Sequence, residues 1–295
     1  MDHPNPFWPG RRVFVTGCTG FLGTWVVREL LTRGAAVTGL IRDRVPPSEL
    51  IRDRLFNSVR VVRGRVEDRG RLQQVPAIHE IDTVFHLAGP AAEPARFDLP
   101  LYSAAREAIP AGRVIVPVRK TEPARETLAV GFAAAARFPV VPAKLSAVFG
   151  GGDRGRNAFV ARSARAIAAG QPVPLASGEE RSEPHLYAAD AARGLLTVAE
   201  TTALSATAEF GLVSDEFRVE CHPAVTGADV VAALAEATAI SFAETDAGPT
   251  GTVMGLPATP LSEAAADTLA WFRSAQRSIA FPDAPLADVR RRSAA

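Results

Sequence analysis

Cysteine is nearly absent: only Cys18 and Cys221 occur in 295 residues, far apart in the chain. That excludes a disulfide scaffold and a cysteine-based zinc site, and it fits a reducing compartment. The five histidines, His3, His79, His86, His185 and His222, show no ligand spacing, so no metal centre is expected. No apolar run reaches the roughly 20 residues that a membrane span needs. The first residues, broken by prolines and charges, lack the apolar segment of a secretion signal, and a cytoplasmic protein is expected. Neither sign of charge dominates, since 33 Lys plus Arg stand against 32 Asp plus Glu. A net charge of +1 argues against a general nucleic-acid or membrane-surface binder. No Gly-x-Ser-x-Gly turn is present, which disfavours serine hydrolysis of that kind.

What is present starts at Arg12-Val13-Phe14-Val15-Thr16, an apolar β-branched run that leads into Gly17-Cys18-Thr19-Gly20-Phe21-Leu22-Gly23 and then an amphipathic segment closed by Arg33-Gly34. This reads as strand, tight turn and helix. Gly17 permits the reversal, Gly20 lets backbone approach a pyrophosphate, and Gly23 lets the helix pack on the strand. The free N–H groups and positive end of that helix would face the phosphates. A second strand, Ala36-Val37-Thr38-Gly39-Leu40-Ile41, follows at once. Next comes Arg42, where a dinucleotide fold reads the adenosine ribose; an arginine there suits a 2′-phosphate and tilts the cofactor from NAD towards NADP.

Further strands are expected at Val59–Arg63, Asp82–Gly89 and Arg113–Pro117, the last cut by Pro117, which has no N–H for a ladder. The small residues at the end of Asp82–Gly89 leave room for a ligand, and His86, inside an apolar run, reads as a satisfied core histidine. Helices are expected over Pro123–Arg137, Ala158–Ala169, Ala188–Glu200, Asp229–Thr238 and Ser262–Ser274. Alternating strands and helices in the first half predict a doubly wound, Rossmann-like parallel sheet over residues 1–150. Gly150-Gly151-Gly152 then marks the border of a smaller substrate lobe over 151–295. Phe7 and Trp8, in an irregular lead-in, are expected to pack on the first unit.

The glycine turn, the Asp82–Gly89 strand and the lobe together resemble the extended short-chain dehydrogenase/reductase family. Within it the chain looks most like the NAD-dependent epimerase/dehydratases of nucleotide sugars. Phe7-Trp8-Pro9-Gly10-Arg11-Arg12 and Glu183-Pro184-His185-Leu186-Tyr187 resemble the CDP-glucose 4,6-dehydratase branch. The resemblance runs from Phe7 to about Arg273 and is densest in the first 90 residues. It implies a cofactor-binding set of Thr16, Gly17, Gly20, Phe21, Leu22, Gly23, Arg42, Leu87, Ala88 and Gly89, with a small-molecule substrate and a possible homodimer.

The family's redox chemistry uses a Ser or Thr after the fifth strand and a Tyr with a Lys four residues on, the ammonium lowering the phenol pKa. Counting back from Pro139, the tyrosine falls at Val118 and the Ser-Lys pair at Thr121-Glu122; a slip of two residues brings in Lys120 but leaves Val116 for the tyrosine. Only two tyrosines exist, Tyr102 and Tyr187, and neither matches. Arg65 follows Gly64 where the family has an Asp for the adenine amino group, and Glu183 stands for a substrate-binding Arg, with Arg181 nearby.

Three readings follow. The first is a non-redox lyase, isomerase or cyclase for a small polar metabolite in a biosynthetic pathway, with Tyr102, Lys120, Glu122, His185 and Tyr187 as candidate catalytic groups. The second is an NAD(P)-dependent nucleotide-sugar 4,6-dehydratase or epimerase with a replaced general base. The third is a non-catalytic cofactor-binding or scaffold subunit.

Overall fold

Residues 7–42, 48–89, 93–155, 158–204, 217–239 and 252–277 are described by the computed structural model. The apolar alternation at Val13, Phe14 and Val15 sets the layering: Val13 and Val15 join one buried cluster and Phe14 the other. A strand covered on both faces must belong to the middle of a parallel sheet.

The order is β1 (Arg12–Thr16), α1 (Phe21–Thr32), β2 (Ala36–Ile41), α2 (Glu49–Arg52), β3 (Arg60–Arg63), α3 (Arg69–Ile78), β4 (Thr83–His86), α4 (Pro94–Phe97), α5 (Leu99–Ala108), β5 (Arg113–Arg119), α6 (Pro123–Ala136) and β6 (Val140–Leu145). There follow β7 (Ala147–Phe149), α7 (Phe159–Ala168), α8 (Gly178–Ser182), β8 (Pro184–Tyr187), α9 (Ala188–Leu204), β9 (Arg218–Val219), β10 (Val225–Thr226), α10 (Gly227–Ala239), β11 (Thr252–Val253), β12 (Leu256–Pro257) and α11 (Leu261–Arg277).

Seven strands form one parallel sheet in the order β3-β2-β1-β4-β5-β6-β9, the expected doubly wound Rossmann-like arrangement. On one face α1 and α9 carry Val26, Val27, Leu30, Leu195 and Leu196 into the core. On the other, α3, α5 and α6 bring Leu72, Leu101, Tyr102 and Ala129. The smaller sheet, β10-β8-β7, and helices α7, α10 and α11 enclose a third cluster around Phe149, Tyr187 and Leu269. This lobe begins after β6, but α9 and β9 return from it to the large sheet.

One expectation needs correction. The fifth strand does not stop at Pro117: β5 runs on to Arg119, pairing Pro117 with Ala143 and Arg119 with Leu145 of β6. Its pairing with β4 ends at Ile115. Pro117 O lies 3.4 Å from Arg125 Nη1 on that open side, so its missing N–H interrupts no ladder. The lead-in is anchored by Trp8, fully buried, whose indole N–H donates to Glu200, while Phe7 meets the indole edge-on at 4.9 Å between ring centroids.

Candidate active site in the crevice above β1, β4 and β5

The turn after β1 is shaped by what a side chain would strike. Gly17 has φ +71°, and a Cβ there would lie 2.7 Å from the carbonyl of Leu87 at the end of β4. At Gly23 it would lie 2.0 Å from Gly17 O. The turn is thus wedged between β4 and the first turn of α1, and only glycine permits that closeness. Gly20 is the N-cap of α1, and no side chain caps the helix. The first-turn amides are therefore free for an anion, in the field of the helix dipole. These features fit the diphosphate of a dinucleotide. Cys18, inside the turn, is a core residue whose thiol burial pushes up to about 12.

Below the crevice lies a buried polar chain. Thr16 Oγ1 is 2.7 Å from His86 Nδ1, and His86 Nε2 is 2.9 Å from Asp98 Oδ1. Arg125 Nε donates to Asp98 Oδ2 at 2.8 Å. Arg125 Nη2 reaches the carbonyls of His86 at 3.3 Å and Ala88 at 3.2 Å. The arrangement assigns a neutral His86 with the proton on Nε2: Thr16 accepts from the Ala88 N–H, at 3.4 Å, and donates to Nδ1. Burial pushes the His86 imidazolium pKa down despite Asp98, and the Arg125 charge adds to that. Burial alone would raise the Asp98 carboxyl; the His86 hydrogen bond and the Arg125 charge outweigh it and hold it low. His86 is therefore the satisfied core histidine expected of it. Asp98 and Arg125 were not legible beforehand, although Arg125, Ala129 and Ala133 share one inward stripe of α6.

The structure does not bring the five candidate catalytic residues together. Tyr102 is a core residue: it is fully buried between His86 and Phe132, and its hydroxyl has no partner among the described residues. Burial and the Asp98 charge drive its pKa up. Glu122 is turned inward to hold the β5–α6 turn, accepting from Arg119 N at 3.2 Å and Arg119 Nε at 2.7 Å. Val118, at the expected tyrosine position, is a buried strand residue. His185 is buried in β8 with Nδ1 2.8 Å from Glu183 O, and burial lowers its pKa. Tyr187 donates to Asp267 Oδ2 at 3.3 Å. It lines a separate cavity of about 200 Å3 with Trp25, Arg28, Glu49, Asp267 and Trp271. Lys120 alone of the five is exposed at the carboxyl end of the large sheet, just after β5. Arg42 is exposed at the end of β2.

A glycine turn at the carboxyl end of β1, wedged against the end of β4 and feeding an uncapped helix, defines a Rossmann-type protein. The sequence profile of the NAD dependent epimerase/dehydratase family matches residues 13–125 and 122–209, and the chain belongs to that family. Over 87 residues it is 41% identical to a dTDP-4-dehydro-6-deoxy-D-allose reductase from a Streptomyces species, covering 28% of this chain and 25% of the relative. Over 83 residues it is 39% identical to the CDP-glucose 4,6-dehydratase of Salmonella typhimurium, covering 28% and 23%. The match thus spans about a quarter of the length of these curated relatives. Among solved structures, dTDP-glucose 4,6-dehydratase from Bacillus anthracis, in complex with NAD, shares the fold, with TM-score 0.71 and 11% identity over 91% of this chain and 98% of that one.

Proposed function

We propose that the chain binds a nicotinamide dinucleotide over the Gly17–Gly23 turn and acts on a nucleotide sugar, in a dehydration, epimerisation or reduction with a replaced proton-transfer group. The observation that carries this reading is the uncapped amino end of α1 wedged against the end of β4. The named activities of the curated relatives, on CDP- and dTDP-linked sugars, supply the substrate class. When bound, the dinucleotide would supply hydride acceptance and return.

In this reading the amides of Phe21 and Leu22 hold the diphosphate, and the main chain at Leu87, Ala88 and Gly89 flanks the adjoining ribose. Arg125 and His86 keep that main chain in place through the Ala88 carbonyl and the Thr16 hydroxyl. Proton transfer falls to Lys120, exposed beside the end of β5 where ligands of open α/β sheets lie. The test is incubation of the purified protein with CDP-glucose, dTDP-glucose or UDP-glucose and either dinucleotide, with products read by NMR and the nicotinamide by absorbance. Binding of neither dinucleotide, together with no sugar turnover, would sink the reading.

A second reading, a non-redox lyase or isomerase, is favoured by one observation: neither residue counted against the family's tyrosine, Val118 or, two residues earlier, Val116, carries a titratable group, and both are buried in β5. Turnover of a sugar nucleotide that persists after the dinucleotide is stripped would select it.

A further inference from the structure

The cavity of about 200 Å3 beside α1 is separate from the glycine turn, since no residue of Gly17–Gly23 lines it. Its walls come from α1, α2, the loop at Gly151, β8 and α11. Three aromatic side chains face it. Trp25 and Tyr187 meet edge-on at 5.6 Å between ring centroids, and Trp271 packs so closely on Gly151 that a Cβ there would lie 2.9 Å from the indole. Both indole N–H groups are spent within the protein: Trp25 donates to Gly151 O at 2.9 Å, and Trp271 to Glu49 Oε2 at 2.7 Å. The Tyr187 hydroxyl donates to Asp267 Oδ2 at 3.3 Å. The rings therefore offer the cavity apolar surface and no free N–H.

One guanidinium and three carboxylates line the same space, those of Arg28, Glu49, Asp53 and Asp267. Arg28 lies over the Trp25 ring, 4.4 Å from Cζ to the centroid, and pairs with Asp53. The wall thus already holds one cation against an aromatic ring, with a carboxylate to match it. Glu49, buried, is matched by two arginines that do not line the cavity: Arg154, at 3.1 Å, and Arg52, at 3.1 Å, which stands over the Trp271 ring at 5.6 Å. Asp267, exposed on α11, has the Tyr187 hydroxyl but no ion-pair partner among the described residues. We infer that this cavity binds a small organic cation, with its ammonium group on Asp267 and its apolar body against the rings of Trp271 and Tyr187. A neutral ligand would leave the Asp267 charge unanswered, and an anion would be repelled by it. The inference stands or falls independently of the dinucleotide reading.

Benzylamine, benzyl alcohol and benzoate share a ring and nearly a size, and differ in charge. Titrating each into the purified protein, with tryptophan emission and calorimetry as readouts, tests the inference without any turnover. Trp25 and Trp271 line the cavity, whereas the third tryptophan, Trp8, is buried against Phe85. Benzylamine should bind with a Kd of about 1 mM or tighter, roughly tenfold ahead of benzyl alcohol, and benzoate should bind more weakly than either. The preference for the amine should shrink at high salt, because Asp267 is exposed. Asp267→Asn, a surface change, should leave the thermal midpoint in place and bring benzylamine down to the level of the alcohol. Benzyl alcohol or benzoate binding as tightly as benzylamine would overturn the inference. So would a preference for the amine that survives Asp267→Asn, or no response to benzylamine at about 10 mM.

Discussion

Asp98, the residue before α5, and Arg125, in the first turn of α6, face each other with both carboxylate oxygens engaged, at 2.8 Å from Nε and 3.3 Å from Nη2. Both side chains are almost wholly buried, so neither charge can turn to water if its partner is lost. Arg125→Met or Asp98→Leu should therefore cost about 3 to 5 kcal/mol, a large part of a typical domain's stability. Urea unfolding of each variant measures it; a loss under about 1 kcal/mol would mean the pair is not buried as described. The double variant should lose less than the sum, because it strands no charge.

Tyr102→Phe should run the other way. The Tyr102 hydroxyl is buried without a partner among the described residues, so removing it relieves a desolvation cost of about 1 kcal/mol or leaves stability unchanged. Activity should be untouched. A large drop in turnover would return Tyr102 to the list of working groups.

Stability should fall as the solution is acidified. His86 has a folded-state pKa below its unfolded value, so the unfolded chain takes up a proton there that the folded chain refuses once the pH drops below about 6.5. Each such proton is worth up to about 1.4 kcal/mol per pH unit. His185 acts with the same sign, and Asp98, held low, extends the loss below about pH 4. Asp153, raised by burial, has the opposite sign: the folded chain takes up its proton above the usual carboxylate range, which favours folding as the pH falls. Urea midpoints at several pH values read the slope, and His86→Gln should flatten it between neutrality and about pH 5. An unchanged slope in that variant would contradict the neutral assignment.

Two glycine substitutions separate folding from binding. Gly17→Ala meets Leu87 backbone at 2.7 Å with φ +71°, and should cost several kcal/mol, on the order of 2 to 4. Gly20 has φ −77° and a would-be Cβ meeting only Gly17 O, at 3.1 Å, so Gly20→Ala should fold with a loss of about 1 kcal/mol or less. Its dinucleotide affinity should nonetheless fall at least tenfold, because the methyl group stands in the phosphate approach. Calorimetry on the folded variant decides; full affinity would move the diphosphate away from this turn.

Lys120 and Glu122 should part company. Lys120→Met, an exposed change, should leave stability within about 0.5 kcal/mol and lower turnover by about 10² to 10⁴ if the ammonium handles a proton. Glu122→Ala, which unpins the β5–α6 turn, should cost about 1 kcal/mol and act on rate only through that loosening. Equal rate effects from the two would argue that the turn, and not the lysine, matters.

The first 90 residues were legible because their signals are local. A glycine turn, an uncapped helix start and β-branched strands announce themselves within a dozen positions, and β1, α1, β2 and β4 lie where those patterns put them. Pro117 misled because its effect depends on whether a neighbouring strand is still alongside, which is a property of sheet register. The five candidate catalytic residues share only their chemistry in the sequence, and burial separates them: Tyr102, Glu122 and His185 inward, Tyr187 towards the cavity beside α1, Lys120 outward.

The amino-acid order by itself determined the Rossmann-like class and the glycine turn between β1 and α1, since each is written in short-range pattern. Only the tertiary structure decided that Thr16, His86, Asp98 and Arg125 form one buried chain. Such groups are joined by parallel strand order and helix packing, so Thr16 and Arg125, 109 positions apart, are linked through His86 and Asp98 by contacts that no local spacing encodes.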